Sequence, residues 1–83
     1  LITLEFGRVV RRLRKDAGLS QVELGRQAGL QGNYISSLEL GEKQPTITSI
    51  FKIANALKMK PGNLITLVDE AIAGQELVSP DAN

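Results

Sequence analysis

The fold is decided between Gln21 and Leu40, QVELGRQAGLQGNYISSLEL. Just ahead of it stands Ser20, three residues before Glu23. That spacing predicts a capping box at the head of a helix: the serine oxygen takes the Glu23 N–H, and the glutamate reaches back. Gly29 ends this helix, and its tolerance of positive φ lets the chain turn at once. Gly25 and Ala28 are small where a second helix would cross the first. Relative to alanine, Gly25 is expected to cost about 0.5–1 kcal/mol in helix propensity. The second helix is predicted over Gly32–Leu40, started by Gln31 and stopped by Gly41. Ile35 and Leu38 anchor it inward, Leu24 and Leu30 close the space between, and Val22 adds an apolar contact.

About 100° per residue places Gly32, Asn33, Ser36 and Ser37 on one side of that second helix. Ile35, Leu38, Tyr34 and Glu39 fall towards the other. A solvated face usually carries Lys and Glu, and this one has none before Glu39. A short, polar face can approach base edges in a major groove. Asn33 can pair bidentately with adenine N6 and N7. Ser36 and Ser37 can hydrogen-bond or touch a thymine methyl. An ordinary solvated face is the plainer alternative.

Outward from this unit the pattern stays helical. Residues 5–17 place Phe6, Val9, Val10, Leu13 and Ala17 three and four apart, with arginines on the other faces, and Gly18 suits a left-handed stop. After the polar loop Glu42–Pro45, Thr46 caps a fourth helix to about Leu57, with Ile47, Ile50, Ile53, Ala54 and Leu57 inward. Pro61 suits the first turn of a fifth. Leu64, Ile65, Val68, Ala71 and Ile72 are its apolar positions, and Gly74 is expected to end it. There is no repeat and no alternating strand pattern. The expectation is one all-α domain over residues 1–74 and a flexible tail over 75–83.

Composition narrows the chemistry. The chain has 83 residues with no Cys and no His. Disulfides, thiolate catalysis, Ser-His-Asp catalysis and the usual zinc and haem ligation are thereby removed. No spaced carboxylate pair replaces them, so neither an enzyme nor a metal or other cofactor is expected. Three aromatics, Phe6, Tyr34 and Phe51, are too few for a base-stacking platform. No apolar run approaches the ~20 residues of a membrane span, and nothing at the start reads as a signal peptide. The start at Leu1 suggests a trimmed chain.

Charge is segregated. All 10 Lys and Arg lie in residues 1–60, against five acids there, leaving +5. Residues 61–83 carry Asp69, Glu70, Glu76 and Asp81 and no base. Arg8, Arg11, Arg12, Arg14 and Lys15 crowd one window. Such a basic face suits a polyanion; scattered counter-ions on a solvated helix are the alternative. Gln21, in the first turn of its helix, suits a phosphate oxygen. Thr46, Thr48 and Ser49 form a second candidate phosphate site, with Lys43 in the loop before it, although Thr46 also reads as a plain cap. Arg11, Arg26 and Lys52 are weaker candidates.

The tight two-helix crossing is the mark of a helix-turn-helix. The chain also resembles the Xre/Cro family of helix-turn-helix DNA-binding domains, related to lambdoid phage repressors. The resemblance is carried by Leu13-Arg14, Gly18-Leu19-Ser20-Gln21, Glu23-Leu24, Ala28-Gly29-Leu30, Tyr34-Ile35-Ser36, Leu38-Glu39, Gly41, Pro45-Thr46, Ile53-Ala54 and Ala56-Leu57. It covers about residues 5–65. It implies a compact five-helix, lambda-repressor-like domain that binds a double-stranded DNA operator as a homodimer. The work implied is transcriptional regulation, as of a repressor, in the cytoplasm of a bacterial or phage-derived system. By resemblance Gly32, Asn33, Ser36 and Ser37 read bases, Gln21 contacts phosphate, and Arg14 and Glu39 form an ion pair between the first and third helices. Gln31 and Tyr34 join the phosphate set. Gly32 departs from the family, where a longer side chain is common, and so does Leu40, where a polar residue often precedes the glycine.

A homodimer needs a surface. Phe51, Met59, Ile65 and Leu67 are the candidate interface, unless Phe51 and Ile65 complete the core. Two other readings stay open: a protein-interaction module such as an antitoxin, gripping a basic partner with the acidic last helix and tail, and the DNA-binding part of a longer regulator. RNA is disfavoured because a helix does not fit the deep major groove of the A-form.

Overall fold

Five helices follow one another: α1 (Ile2–Asp16), α2 (Gln21–Ala28), α3 (Gly32–Glu39), α4 (Ile47–Ala56) and α5 (Pro61–Val78). The structure is a computed structural model and describes residues 1–78. α2 and α3 pack on each other, α1 lies against α3 and α5, and α4 against α2 and α5. Phe6, Val9, Val10, Leu24, Ile35, Leu38, Ile53, Ala54, Leu64 and Val68 meet in one core. Among the described residues no helix is long and apolar enough to cross a membrane.

The helix stops share one geometry. After α1, Gly18 N–H donates to the Lys15 carbonyl and Leu19 N–H to that of Arg14. The same paired bonds follow α2 at Gly29 and Leu30, α3 at Gly41 and Glu42, and α4 at Lys58 and Met59. This Schellman arrangement satisfies the last carbonyls and requires a left-handed residue. Glycine supplies it three times; Lys58 adopts φ 60° without that freedom, at a cost of about 1–2 kcal/mol.

Two glycines do something different. A Cβ on Gly7 would lie 2.2 Å from the Leu38 carbonyl oxygen and 2.7 Å from that of Glu39. The backbone of α3 therefore rests directly on α1. A Cβ on Gly25 would lie 2.6 Å from the Leu30 carbonyl oxygen. Gly25 is thus a requirement of the close crossing, where propensity alone marks it as a weakness.

Several expectations need correction. α1 begins at Ile2, three residues earlier than the apolar stripe indicates. Ala17 is exposed, because it caps α1 instead of lying on its inward stripe. Val22 is 68% exposed and Ile47 71% exposed. Each lies in the first turn of its helix, where the side chain projects past the core. Gly74 does not end α5, which continues to Val78. The Gln75 carboxamide donates to the Glu5 carboxylate and ties these last turns to α1. Residues 75–78 are therefore helical, and the rest of the expected tail, 79–83, lies outside the described residues.

Candidate nucleic-acid interface

The interface starts from the α2 cap. Ser20 Oγ accepts from Glu23 N–H at 3.0 Å, and Glu23 Oε1 accepts from Ser20 N–H at 2.8 Å, completing the capping box. The bond from the Ser20 backbone, then that with its side chain, holds the Glu23 carboxyl below the usual carboxylate range. At the other end Gly29 sits at φ 71°, and three residues later α3 begins. Asn33 is exposed at the head of α3, and Ser36 and Ser37 are half-buried one turn on. Ser37 Oγ donates to the Asn33 carbonyl at 3.1 Å. Gly32 points its missing side chain at α2: a Cβ would meet Val22 Cγ2 at 3.2 Å and Val22 Cα at 3.3 Å. A side chain there would fit tightly, and Val22 would have to give by a few tenths of an ångström.

Glu39 ends α3 on the inward side. Its carboxylate takes Arg14 Nε at 2.6 Å and Arg14 Nη2 at 3.0 Å, and Arg14 Nη1 donates to the Leu19 carbonyl at 2.8 Å. The two side chains are only 9% and 2% exposed. The bond to Glu39 pushes the Arg14 pKa further up against the opposing effect of burial, so the guanidinium stays charged. Gln21 Nε2 donates to Glu39 Oε1 at 3.0 Å. The expected phosphate ligand thus already has one amide proton engaged.

A second network joins α3 to α4. Thr46 Oγ1 accepts from Ser49 N–H and donates to Ser49 Oγ, both at 3.0 Å, and Ser49 Oγ shares a 3.0 Å hydrogen bond with the Tyr34 hydroxyl. Ser49 is buried, and its hydroxyl links Tyr34 to the Thr46 cap. Thr46 and Thr48 are exposed. Lys43 Nζ lies 6.0 Å from the centroid of the Tyr34 ring, at the outer limit of a cation–π contact.

A groove of about 510 Å³ runs beside α3, lined by Gly29, Leu30, Gln31, Asn33, Tyr34, Ser37, Lys43 and Ser49. Six of the candidate DNA-contact residues therefore share one concave surface. Gln21, Gly32, Ser36, Thr46 and Thr48 are not part of that lining. Arg11, Arg26 and Lys52 are exposed.

The proposed dimer residues divide. Phe51 and Ile65 are 57% and 46% exposed, so they do not complete the core. Met59 and Leu67 are half-buried against it. Sequence reasoning missed Ile47, which it placed inward; four residues before Phe51, it shares a helix face with it. Ile65 also edges an apolar cleft of about 270 Å³ with Ile2, Pro45 and Ile50.

The helix-turn-helix family model matches residues 10–64, from within α1 to the first turn of α5. The chain belongs to the helix-turn-helix family. This helix-turn-helix chain is 38% identical over 63 residues to the uncharacterized HTH-type transcriptional regulator y4dJ of Sinorhizobium fredii, covering 76% of this chain and 82% of that one. It is 35% identical over 65 residues to the control protein C.BamHI of Bacillus amyloliquefaciens, covering 77% and 80%. The crystal structure of the restriction-modification controller protein C.AhdI of Aeromonas hydrophila superposes with a TM-score of 0.73 at 35% identity, covering 75% of this chain and 94% of that one. The five-helix, all-α expectation and the Xre/Cro resemblance both agree with these likenesses.

Proposed function

We propose that this helix-turn-helix chain is a cytoplasmic transcriptional regulator that binds a palindromic double-stranded DNA operator as a homodimer, with α3 in the major groove. The observation that carries the reading is the outward side of α3. It is short and polar, and its one acid, Glu39, is buried under Arg14. No free negative charge on α3 opposes its approach to DNA. Asn33, Ser36 and Ser37 read base edges, and the main chain at Gly32 approaches closely. Gln21, Gln31, Lys43, Thr46 and Thr48 meet phosphates, while Tyr34 and Ser49 brace Thr46 between α3 and α4. Ile47, Phe51 and Ile65 supply the self-association face. Likeness to a restriction-modification controller favours restriction and modification genes among the regulated targets.

Selection of bound duplexes from a random library tests this, with titration of the winner at two salt concentrations. The expected winner is a palindrome whose half-sites lie about one helical turn apart, ~34 Å, bound with a steep salt dependence. Failure to enrich any sequence, with weak binding at physiological salt, would overturn the reading and favour a protein partner.

A further inference from the structure

The mechanism above uses Gln21 as a phosphate ligand and leaves the buried ion pair as scaffolding. The hydrogen bonds join the two. Gln21 opens α2, Glu39 closes α3 and Arg14 lies in α1, so three helices meet at one carboxylate. Glu39 Oε1 receives both Arg14 Nη2 and Gln21 Nε2, each at 3.0 Å. Glu39 is itself held from the other side by Arg14 Nε on Oε2. We propose that Glu39 is the positioning residue that aims the Gln21 carboxamide at the DNA backbone, with Arg14 locking it in place; this rests on the operator-binding reading.

Three physical points support it. A glutamine carboxamide carries two protons in one plane. With one on Glu39, the other is directed away from the carboxylate before any DNA arrives. Gln21 is half-buried, which suits a side chain whose base is fixed and whose tip is accessible. A bare carboxylate 3.0 Å from a phosphate ligand would repel the phosphate. The guanidinium on both carboxylate oxygens offsets that charge. Buried ion pairs are weak devices for stability, since a well-packed apolar pair often does as well. This pair does what an apolar pair cannot: it offers an acceptor to a third helix.

The test compares four proteins on the selected operator: wild type, Gln21→Ala, the double variant Arg14→Met/Glu39→Met, and the triple variant. The double variant removes both charges together, leaving no unpaired buried ion, and denaturant unfolding is measured on each protein. Gln21→Ala is expected to weaken operator binding about tenfold. The double variant, folded, is expected to weaken it by the same factor, and the triple variant no further. The preferred sequence and the salt slope should stay those of wild type, since a neutral phosphate ligand carries no base information and releases no counterion. A double variant that binds like wild type, or losses that multiply in the triple variant, overturns the proposal. So does an operator that Gln21→Ala binds unchanged, which leaves the operator reading standing. If wild type selects no operator, that reading falls and the proposal with it. Should the double variant not fold, nitrogen relaxation of the Gln21 side-chain amide in free wild type decides: an order parameter close to that of rigid backbone amides, about 0.85, supports the aim, and one below about 0.6 overturns it.

Discussion

Glu39 and Glu5 are both buried carboxylates bound to an arginine, and they hold the molecule in different ways. Glu39 is gripped at two atoms by Arg14, 25 positions away in sequence, and both side chains are out of solvent. Glu5 takes one 2.8 Å bond from Arg8, its neighbour one turn along α1, and Arg8 is 60% exposed. Its long-range partner is neutral Gln75. An ion pair between helices fixes tertiary structure. One within a helix mostly dresses the surface, and a neutral amide then does the tethering. Contact distance alone would have ranked the two pairs as near equals.

Four measurements press on this contrast. Arg14→Ala leaves Glu39 buried without its counter-ion, and denaturant unfolding should fall by about 3–5 kcal/mol. A change of a few tenths would show that the pair is not the anchor described. Gly7→Ala attacks the same junction through the backbone, because the new Cβ collides with the Leu38 and Glu39 carbonyls. About 1–3 kcal/mol should be lost, and a neutral outcome would mean that α3 can back away from α1. Arg8→Ala tests the other carboxylate. With Arg8 in solvent and Gln75 still bonded to Glu5, the loss should be at most about 1 kcal/mol, so one comparable to that of Arg14→Ala would erase the distinction. Glu23 extends the comparison to the surface. Its folded pKa lies below the unfolded value, held there by Ser20. The capping contribution is therefore present above the ordinary glutamate value of about 4.3 and lost as pH falls through the folded one. The melting difference between wild type and Glu23→Ala should be steady near neutrality and shrink in acid. An equal gap at both pH values would place the effect elsewhere.

Much of this was legible in local sequence, and the limits of legibility have a common cause. The capping box, the Gly29 turn and the inward pair Ile35 and Leu38 depend on neighbours within a few residues, and short spacings report such things well. The partnership of Arg14 with Glu39 spans 25 positions and was accessible only through family likeness. Gly7 carried no signal, because a glycine inside a helix looks like a weakness until a second backbone is laid on it. Gly25 is legible as a small residue at the crossing, and the 2.6 Å approach of the Leu30 carbonyl shows how tight that crossing is. Gly74 looked like a stop, and the bond that carries α5 onward comes from Gln75 to a residue 70 positions away. Val22 and Ile47 kept their helical period yet sit where the helix has not reached the core. Asn33, Lys43 and Gln31 were named separately; only the fold shows that they line one groove.

The seat of α3 has a consequence for descent. It is made by main chain against Gly7 and by Glu39 on Arg14, with Ile35 and Leu38 beneath. Among the described residues Asn33 and Ser36 contribute no side-chain bond to it, and the Ser37 hydroxyl bonds within its own helix. Lineages carrying this scaffold can exchange those three letters without unseating the helix that bears them. Under the proposed operator reading, the residues that would choose the target are not those that seat the helix.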